Sequence, residues 1–363
     1  VQNFILIIAG SARMLAQAAR LQGLNPLAID MFADVDTQSY AVDFWRVADL
    51  STAQLMPAVA FFTAHYPVTQ VVYGSGFEHH PESLMTLNQR LVLTGNTPAV
   101  FANTLNKKNF FAVLDALAIP YPPTVFAAPT DTCDWLTKPL RGQGGAGIRR
   151  YQPAQADAAV YWQKFQAGAP HSVLFLANGQ TVQIIGFNRQ WAVNLGDGAE
   201  FMFAGVVNQT DLSHKQQTII SGWLRKLVPA LGLRGLNSLD FMQDGERNGV
   251  LEINPRPSAS MQLYNGGLLL RHIKACAGQL LATPLPEQPV RAYQVVYAPE
   301  AVCIPKAMNW PDGCMDLPQS GVICRTGEPI CSMIASHKTV SEACRQLESQ
   351  RRALFDQLLP NPI

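Results

Sequence analysis

The segment "LDFMQDGERNGVLEINPRP", residues 239 to 257, restricts the fold more than any other stretch of this 363-residue chain. Apolar and polar residues alternate on both sides of Asp244-Gly245, a dipeptide that closes a β-hairpin. Glu252 and Asn254 are two apart, so both side chains leave one face of a strand while Leu251 and Ile253 leave the other. Asp240 lies on the preceding strand of the same hairpin. Oxygen donors from Asp, Glu and Asn on one face suit Mg²⁺, which takes a few carboxylates together with substrate phosphates. A solvated strand face also carries an acid by chance. It is less often followed directly by Asn-Pro-Arg-Pro, whose prolines fix the backbone and aim Arg256 at whatever lies beside the metal.

A second constellation is "TKPLRGQGGAGIRR", residues 137 to 150. Gly142, Gly144 and Gly147 spell G-x-G-x-x-G, a weak signal on its own. A dinucleotide fingerprint needs a helix at the third glycine and an acid further on. Here the β-like "IRRY" follows, and residues 161 to 168 carry no acid. A phosphate-binding Walker loop places its lysine after the glycines, whereas Lys138 precedes them. The stretch therefore reads as a glycine-rich hairpin. Gly142, Gly144, Gly145 and Gly147 let its backbone N–H groups form an anion-binding concavity. Lys138, Arg141, Arg149 and Arg150 favour a phosphate over the alternative of a plain flexible hairpin.

Around these two stretches the chain reads as α/β. "FILIIAGSARMLAQAARLQGLNPLAID" is a strand, a Gly-Ser turn, a helix and a strand, and "VTQVVYGSGFEHHP" repeats the strand-then-glycine arrangement. Ligands of such a domain, residues 1–103, are expected beyond the carboxyl ends of its strands. That makes Ser11, Arg13, Ser75 and Glu78 candidates for substrate selection. Residues 104–286 begin with a helix stopped by prolines. Two short strands flank the glycine loop, and a helical stretch, a hairpin at Asn178-Gly179, a helix from about Ser213 to Leu231 and the closing hairpin follow. Residues 287–363 carry short β runs and a final helix, as a small accessory domain. Apolar residues make up 48% and charged residues 15%, with a net charge of +1 and no basic run, which excludes a nucleic-acid surface. No stretch reaches membrane-span length. The opening reads as a buried strand rather than a signal peptide. The seven cysteines form no C-x-x-C pair, so reduced thiols in the cytoplasm are expected.

Taken together, the chain resembles the ATP-grasp superfamily of carboxylate–amine ligases over nearly its whole length. The resemblance implies a Rossmann-like preATP-grasp domain, an ATP-grasp domain and a small β-rich C-terminal domain. It implies ATP and Mg²⁺, or Mn²⁺, as cofactors. Lys107, with Lys108 as the other candidate, and Lys138 match the nucleotide lysines. "QKFQAGAPHSVLF" is similar to the family's hinge, which places Gln163, Lys164, Phe165 and Gln166 along the adenine edge and His171 near the ribose. Gln163 stands where the family usually has an acid. Asp240, Glu252 and Asn254 match the metal ligands, and Arg256 the arginine beside the transferred phosphate. Lys138 and Arg256 are thus the implied catalytic residues, with a small-molecule carboxylate and amine as substrates and a homodimer as a compatible assembly. The implied chemistry is an acyl phosphate attacked by an amine, leaving ADP and phosphate.

"GSARMLAQAA", "IDMFADVDT", "YGSGFE" and "LNSLDF…LEINPRPSAS" resemble the group of predicted ATP-dependent carboligases. Some members of that group accompany methanofuran- and tetrahydromethanopterin-linked one-carbon metabolism, which suggests a glutamate-type ligase. Two other readings stay open: a nucleotide-binding regulator without turnover, and an NAD(P)-dependent oxidoreductase.

Overall fold

Phe4–Ile8 (β1) is apolar at every position, so neither of its faces tolerates water. In the computed structural model, which describes residues 3–131, 133–153, 159–196 and 198–359, β1 is the middle strand of a five-stranded parallel sheet. The others are β2 (Asn25–Asp30), β3 (Asp43–Arg46), β4 (Gln70–Tyr73) and β5 (Val92–Thr94), in the order β3-β2-β1-β4-β5. Helices α1 (Arg13–Leu21), α2 (Val35–Tyr40), α3 (Thr52–His65) and α4 (Pro81–Asn88) connect them. Ile5 and Ile7 enter a core with residues of α1, while Leu6 and Ile8 enter another with residues of α3 and α4. The carboxyl ends of β1, β2 and β4 meet at one edge. There the Gly10 amide donates to the Ser75 carbonyl at 2.7 Å and the Met31 amide to the Gly10 carbonyl at 3.0 Å.

α5 (Pro98–Leu105) and α6 (Lys107–Ala116) follow, and the Asn106 side chain caps α6 by accepting from the Asn109 amide at 3.2 Å. Lys107 is thereby fixed as the first helical residue. A four-stranded antiparallel sheet comes next, built from β6 (Thr124–Val125), β7 (Trp135–Pro139), β8 (Arg149–Arg150) and β9 (Val160–Lys164) in the order β6-β9-β7-β8. β9 corrects the reading of a helical stretch before the hinge. Tyr161 and Gln163 are buried while Val160, Trp162 and Lys164 are only partly so, a period of two that a strand satisfies and a helix does not.

The remaining strands are β10 (Ala169–Asn178), β11 (Val182–Val193), β12 (Met202–Val207), β13 (Arg234–Asp244), β14 (Arg247–Asn254), β15 (Val290–Tyr297), β16 (Val302–Cys303), β17 (Cys314–Met315), β18 (Ile323–Cys324) and β19 (Pro329–His337). Eight of them form one sheet in the order β14-β13-β10-β11-β12-β15-β19-β17, and β16 pairs with β18. α7 (His214–Leu231) starts at a Ser213–Gln216 capping box and ends at Gly232 with φ +71°. α7 and α6 cover one core against β10, β13 and β14. α8 (Leu268–Cys276) contributes to the core shared with the parallel sheet, and α9 (Val340–Leu358) packs on β15 and β19. The sheet runs through the 286/287 boundary, because β12 pairs with β15 with Gly205 opposite Gln294. Among the described residues no helix is long and apolar enough to cross a membrane.

One buried side chain joins the parallel-sheet region to the hairpin of Asp240 and Glu252. Asn96, 1% exposed, donates to Asn237 Oδ1 at 2.7 Å and to the Pro255 carbonyl at 2.9 Å. Its own Oδ1 accepts from the Arg234 amide at 2.7 Å. Asn96→Ala strands these groups away from water and should lower unfolding stability by about 2–4 kcal/mol. Urea denaturation checks this, and an unchanged midpoint would contradict the role of Asn96 as a clamp.

Candidate active site

The β13–β14 hairpin pairs Ser238 with Asn254, Leu239 with Ile253 and Asp240 with Glu252, and then Phe241 with Val250. Leu251 is therefore an extra residue, a β-bulge of the kind that re-aims side chains near functional sites. Leu239, Phe241 and Ile253 enter the core under α6 and α7. Asp240, Glu252 and Asn254 share the other face, as the spacing predicts. The Asn254 amide donates to Asp240 Oδ2 at 2.9 Å, and Gln190 Nε2 approaches Asp240 Oδ1 at 3.4 Å.

The charges of Lys107, Lys138 and Arg256 all act on Glu252. Lys107, at the start of α6, places Nζ 2.9 Å from Glu252 Oε2. Lys108 turns instead over the Phe126 ring, 5.4 Å from its centroid, so of the two lysines it is Lys107 that contacts Glu252. Lys138, on β7, donates to Gln163 Oε1 at 2.9 Å. Arg256 donates from Nη2 to Asn254 Oδ1 at 3.2 Å and from Nε to Glu78 Oε1 at 2.7 Å. Glu78 Oε2 in turn accepts from the Gly76 amide at 2.8 Å. The loop after β4 thus reaches the hairpin through a buried ion pair.

The electrostatics follow from this arrangement. Desolvation by itself would raise Glu252, but Lys107, and beyond it Lys138 and Arg256, hold its carboxyl below the usual value. Desolvation and the charge of Glu252 push Asp240 up to about 7. Desolvation by itself would lower Lys107, yet Glu252 raises its ammonium above the ordinary range. A divalent cation would relieve the repulsion that lifts Asp240. Two carboxylates and one amide oxygen suit Mg²⁺ with phosphate and water oxygens completing the shell. Among the described residues no group of three His, Cys, Asp or Glu side chains is arranged to hold a metal unaided.

The glycine loop joins β7 to β8, and no helix opens at Gly147. It lies along the segment leading into β12, where the Gly144 carbonyl accepts from the Phe203 amide at 2.8 Å and the Gly147 amide donates to the Gly198 carbonyl at 3.0 Å. Gly145, at φ +83°, faces the Phe201 carbonyl so closely that a Cβ would collide with it. Gly142 lies beside Pro139 at the loop's entry.

The hinge residues divide. Gln163 is buried and bridges Lys138 and the Thr124 hydroxyl, to which it donates at 3.0 Å. Gln166 lies beside Gly249. The Lys164 side chain turns to Asp131 at 3.2 Å, and Phe165 sits between Phe201 and the Arg150 guanidinium. Their amides already donate to the Pro123 and Asp134 carbonyls at 2.8 and 2.6 Å. His171 differs from the implied ribose contact. Its ring is fully enclosed, stacked on Phe241, with Nε2 on Asp211 Oδ1 at 3.0 Å and Nδ1 on the Ala169 carbonyl at 3.1 Å.

Of the four substrate candidates, Glu78 joins the site and Ser75 stays half-buried at the edge of the parallel sheet. Arg13 does not face an open cleft. It is 1% exposed, gripped by Asp316 through Nε at 2.9 Å and Nη2 at 3.0 Å, and its Nη1 donates to Gln262 at 2.6 Å. Ser11 donates to the same Asp316 at 3.1 Å. Sequence reasoning missed Gln190 and Asn96. For Gln190 a signal existed, since Asn188 and Gln190 alternate as polar positions on one face of β11.

Residues 104–260 match the ATP-grasp domain family. The comparison with curated proteins finds no match. Several solved structures share the fold. One is biotin carboxylase from Campylobacter jejuni, with TM-score 0.74 and 15% identity over 98% of this chain and 91% of that one. The biotin carboxylase domain of Hydrogenobacter thermophilus 2-oxoglutarate carboxylase, a dimer in complex with MgADP and bicarbonate, has TM-score 0.74 and 13% identity over 95% and 89%. N5-carboxyaminoimidazole ribonucleotide synthetase from Thermotoga maritima has TM-score 0.71 and 15% identity over 96% and 98%.

The Lys107–Glu252 contact is testable without any ligand. A double-mutant cycle of Lys107→Met and Glu252→Gln should give a coupling of about 1–2 kcal/mol in denaturant unfolding, and the same cycle with Lys108→Met should give none. Equal coupling for both lysines would contradict the assignment.

Proposed function

We propose that the chain is an ATP-dependent ligase that joins a carboxylate to an amine through an acyl phosphate, releasing ADP and phosphate. The observation that carries this reading is Lys107 at 2.9 Å from Glu252, on the face shared with Asp240 and with the Asn254 that Arg256 contacts, inside an ATP-grasp domain. A carboxylate resists attack by an amine because its oxygen is a poor leaving group. Phosphorylation by ATP turns that oxygen into phosphate, which the amine then displaces. Catalysis of such a transfer is mostly positioning and charge neutralisation.

Asp240, Glu252 and Asn254 are the proposed holders of Mg²⁺, which when bound neutralises phosphate charge and orients phosphate oxygens. Lys138 and Lys107 take further phosphate charge. Arg256, steadied by Glu78, is placed to hold the carboxylate oxygen or the tetrahedral intermediate. The glycine loop covers the phosphates and excludes water, protecting the acyl phosphate from hydrolysis. Gln163 steadies the Lys138 ammonium. The likeness to the carboligase group extends the proposal to a glutamate-type ligase of one-carbon cofactor biosynthesis, so glutamate heads the acids to be screened. Bicarbonate belongs in the same screen, because a fold neighbour was solved with it.

Glu252→Gln keeps shape and strand packing but removes one negative charge from the site. The variant should fold and bind adenine nucleotide weakly while forming amide at least about a hundredfold more slowly, a loss of roughly 2.7 kcal/mol in transition-state stabilisation. Single-turnover product formation at saturating ATP and several Mg²⁺ concentrations measures this. A near-wild-type rate would move the metal site elsewhere, and stabilisation of the wild type by NADH but not by Mg-ATP would end the ligase reading.

A further inference from the structure

Asp240 differs from Glu252 in what holds it. Glu252 meets the Lys107 ammonium, whereas each oxygen of Asp240 faces a neutral amide donor. Asn254 Nδ2 donates to Oδ2 at 2.9 Å from within the same hairpin. Gln190 Nε2 reaches Oδ1 at 3.4 Å from β11, which lies two strands away across β10. Register brings the two together. Asp240 pairs with Ser172 on β10, and Ser172 pairs with Asn188 on β11, so these three side chains share one face. Gln190, two residues after Asn188, shares it as well. Ser172 is small, and its Oγ is engaged by Asn188 Nδ2 at 3.3 Å.

The strand that carries Gln190 is fastened beside this row. Asn188 is fully buried, and its Oδ1 accepts from the Tyr264 hydroxyl at 2.6 Å. Gly186, two residues earlier, leaves room for the same ring, because a Cβ there would lie 2.2 Å from the Tyr264 oxygen. Tyr264 belongs to the segment that follows Arg256, so β11 is tied to the stretch of chain that begins at the site's arginine. Gln190 itself is only partly buried, and among the described residues its Oε1 takes no hydrogen bond. An ionised carboxylate only accepts, so Nε2 is the end that faces Asp240 and Oε1 is the end left over.

We propose that Gln190 is a positioning residue of the cation site: its amide fixes Asp240 Oδ1 and, with Asn254 at Oδ2, sets the carboxylate that meets Mg²⁺. This rests on the ligase reading above, in which Asp240, Glu252 and Asn254 hold that ion. A neutral donor suits the position. A lysine or arginine there would compete with Mg²⁺ for the charge of Asp240, and a third acid would add to the repulsion between Asp240 and Glu252. Carboxylates that bind metals are themselves held by hydrogen bonds, and loss of such a partner weakens metal binding by about 10–100-fold. The contact of 3.4 Å is long, which puts the expected effect at the lower end of that range.

The experiment is calorimetry of the full chain with ADP, in EDTA and over a series of Mg²⁺ concentrations. Gln190→Met keeps the length of the side chain and removes its N–H groups. It should weaken the apparent Mg²⁺ affinity at saturating ADP by about tenfold and leave metal-free ADP affinity unchanged. The control is Gln183→Met on the same strand, whose Nε2 donates to the Leu281 carbonyl at 3.2 Å. It should retain the wild-type Mg²⁺ affinity even where it lowers stability. A second variant, Gln190→Glu, replaces the donor with a carboxylate beside Asp240. At pH 8 in EDTA it should melt below the wild type, and Mg²⁺ with ADP should raise its melting temperature by more than the wild type's. Should Gln190→Met fold poorly, this comparison decides alone. Unchanged Mg²⁺ affinity in Gln190→Met, an equal loss of metal-free ADP binding, or no extra stabilisation of Gln190→Glu by Mg²⁺ would overturn the proposal. Failure of the wild type to bind Mg-ADP would instead refute the ligase reading on which it rests.

Discussion

A buried ion pair joins the parallel-sheet region to the β13–β14 hairpin. Arg256 follows the β13–β14 hairpin, Glu78 follows β4 of the parallel sheet, and their contact is 2.7 Å with both residues under a tenth exposed. Removing one member would leave the other charged and unpaired in a desolvated place, which costs far more than the pair itself contributes. The pair therefore specifies geometry more than it adds stability. It sets Arg256 against Asn254, and Asn254 against Asp240, so the orientation of the acidic face depends on a residue from another part of the chain. Asn96 anchors the same junction through backbone groups of Arg234 and Pro255.

The acidic face is in turn a balance of unequal neighbours. Glu252 has Lys107 at hydrogen-bond distance and the charges of Lys138 and Arg256 besides, and Asp240 has the repulsion of Glu252 against two amide donors and the charge of Arg256. The asymmetry lowers one carboxyl and raises the other, and a bound cation would favour the ionised form of both. Leu239, Phe241 and Ile253 pack beneath the hairpin and hold the strands that carry these charges.

Much of this was legible in the sequence. The two-residue spacing of Glu252 and Asn254 and the Asp244-Gly245 turn define a local hairpin, and local geometry is what periodicity reports. Lys107 became distinct from Lys108 only in three dimensions, since the Asn106 cap sets which lysine begins the helix and faces β14. β9 was hidden because a five-residue strand carrying Lys164 and Gln163 has too little apolar alternation to declare itself. Arg13 read as a cleft residue because nothing local marks its partner Asp316, which lies 303 positions away. The enclosure of His171 depends likewise on Asp211 and Phe241, and long-range burial leaves no periodic trace.

The central claim is that ATP activates a carboxylate by phosphorylating it. Its most direct test is turnover of the acid identified by screening, labelled with oxygen-18 in both carboxyl oxygens, with product phosphate analysed by mass spectrometry. An acyl phosphate requires one labelled oxygen to leave with each phosphate, alongside ADP. Label in AMP, or phosphate carrying no label while amide forms, would contradict the account.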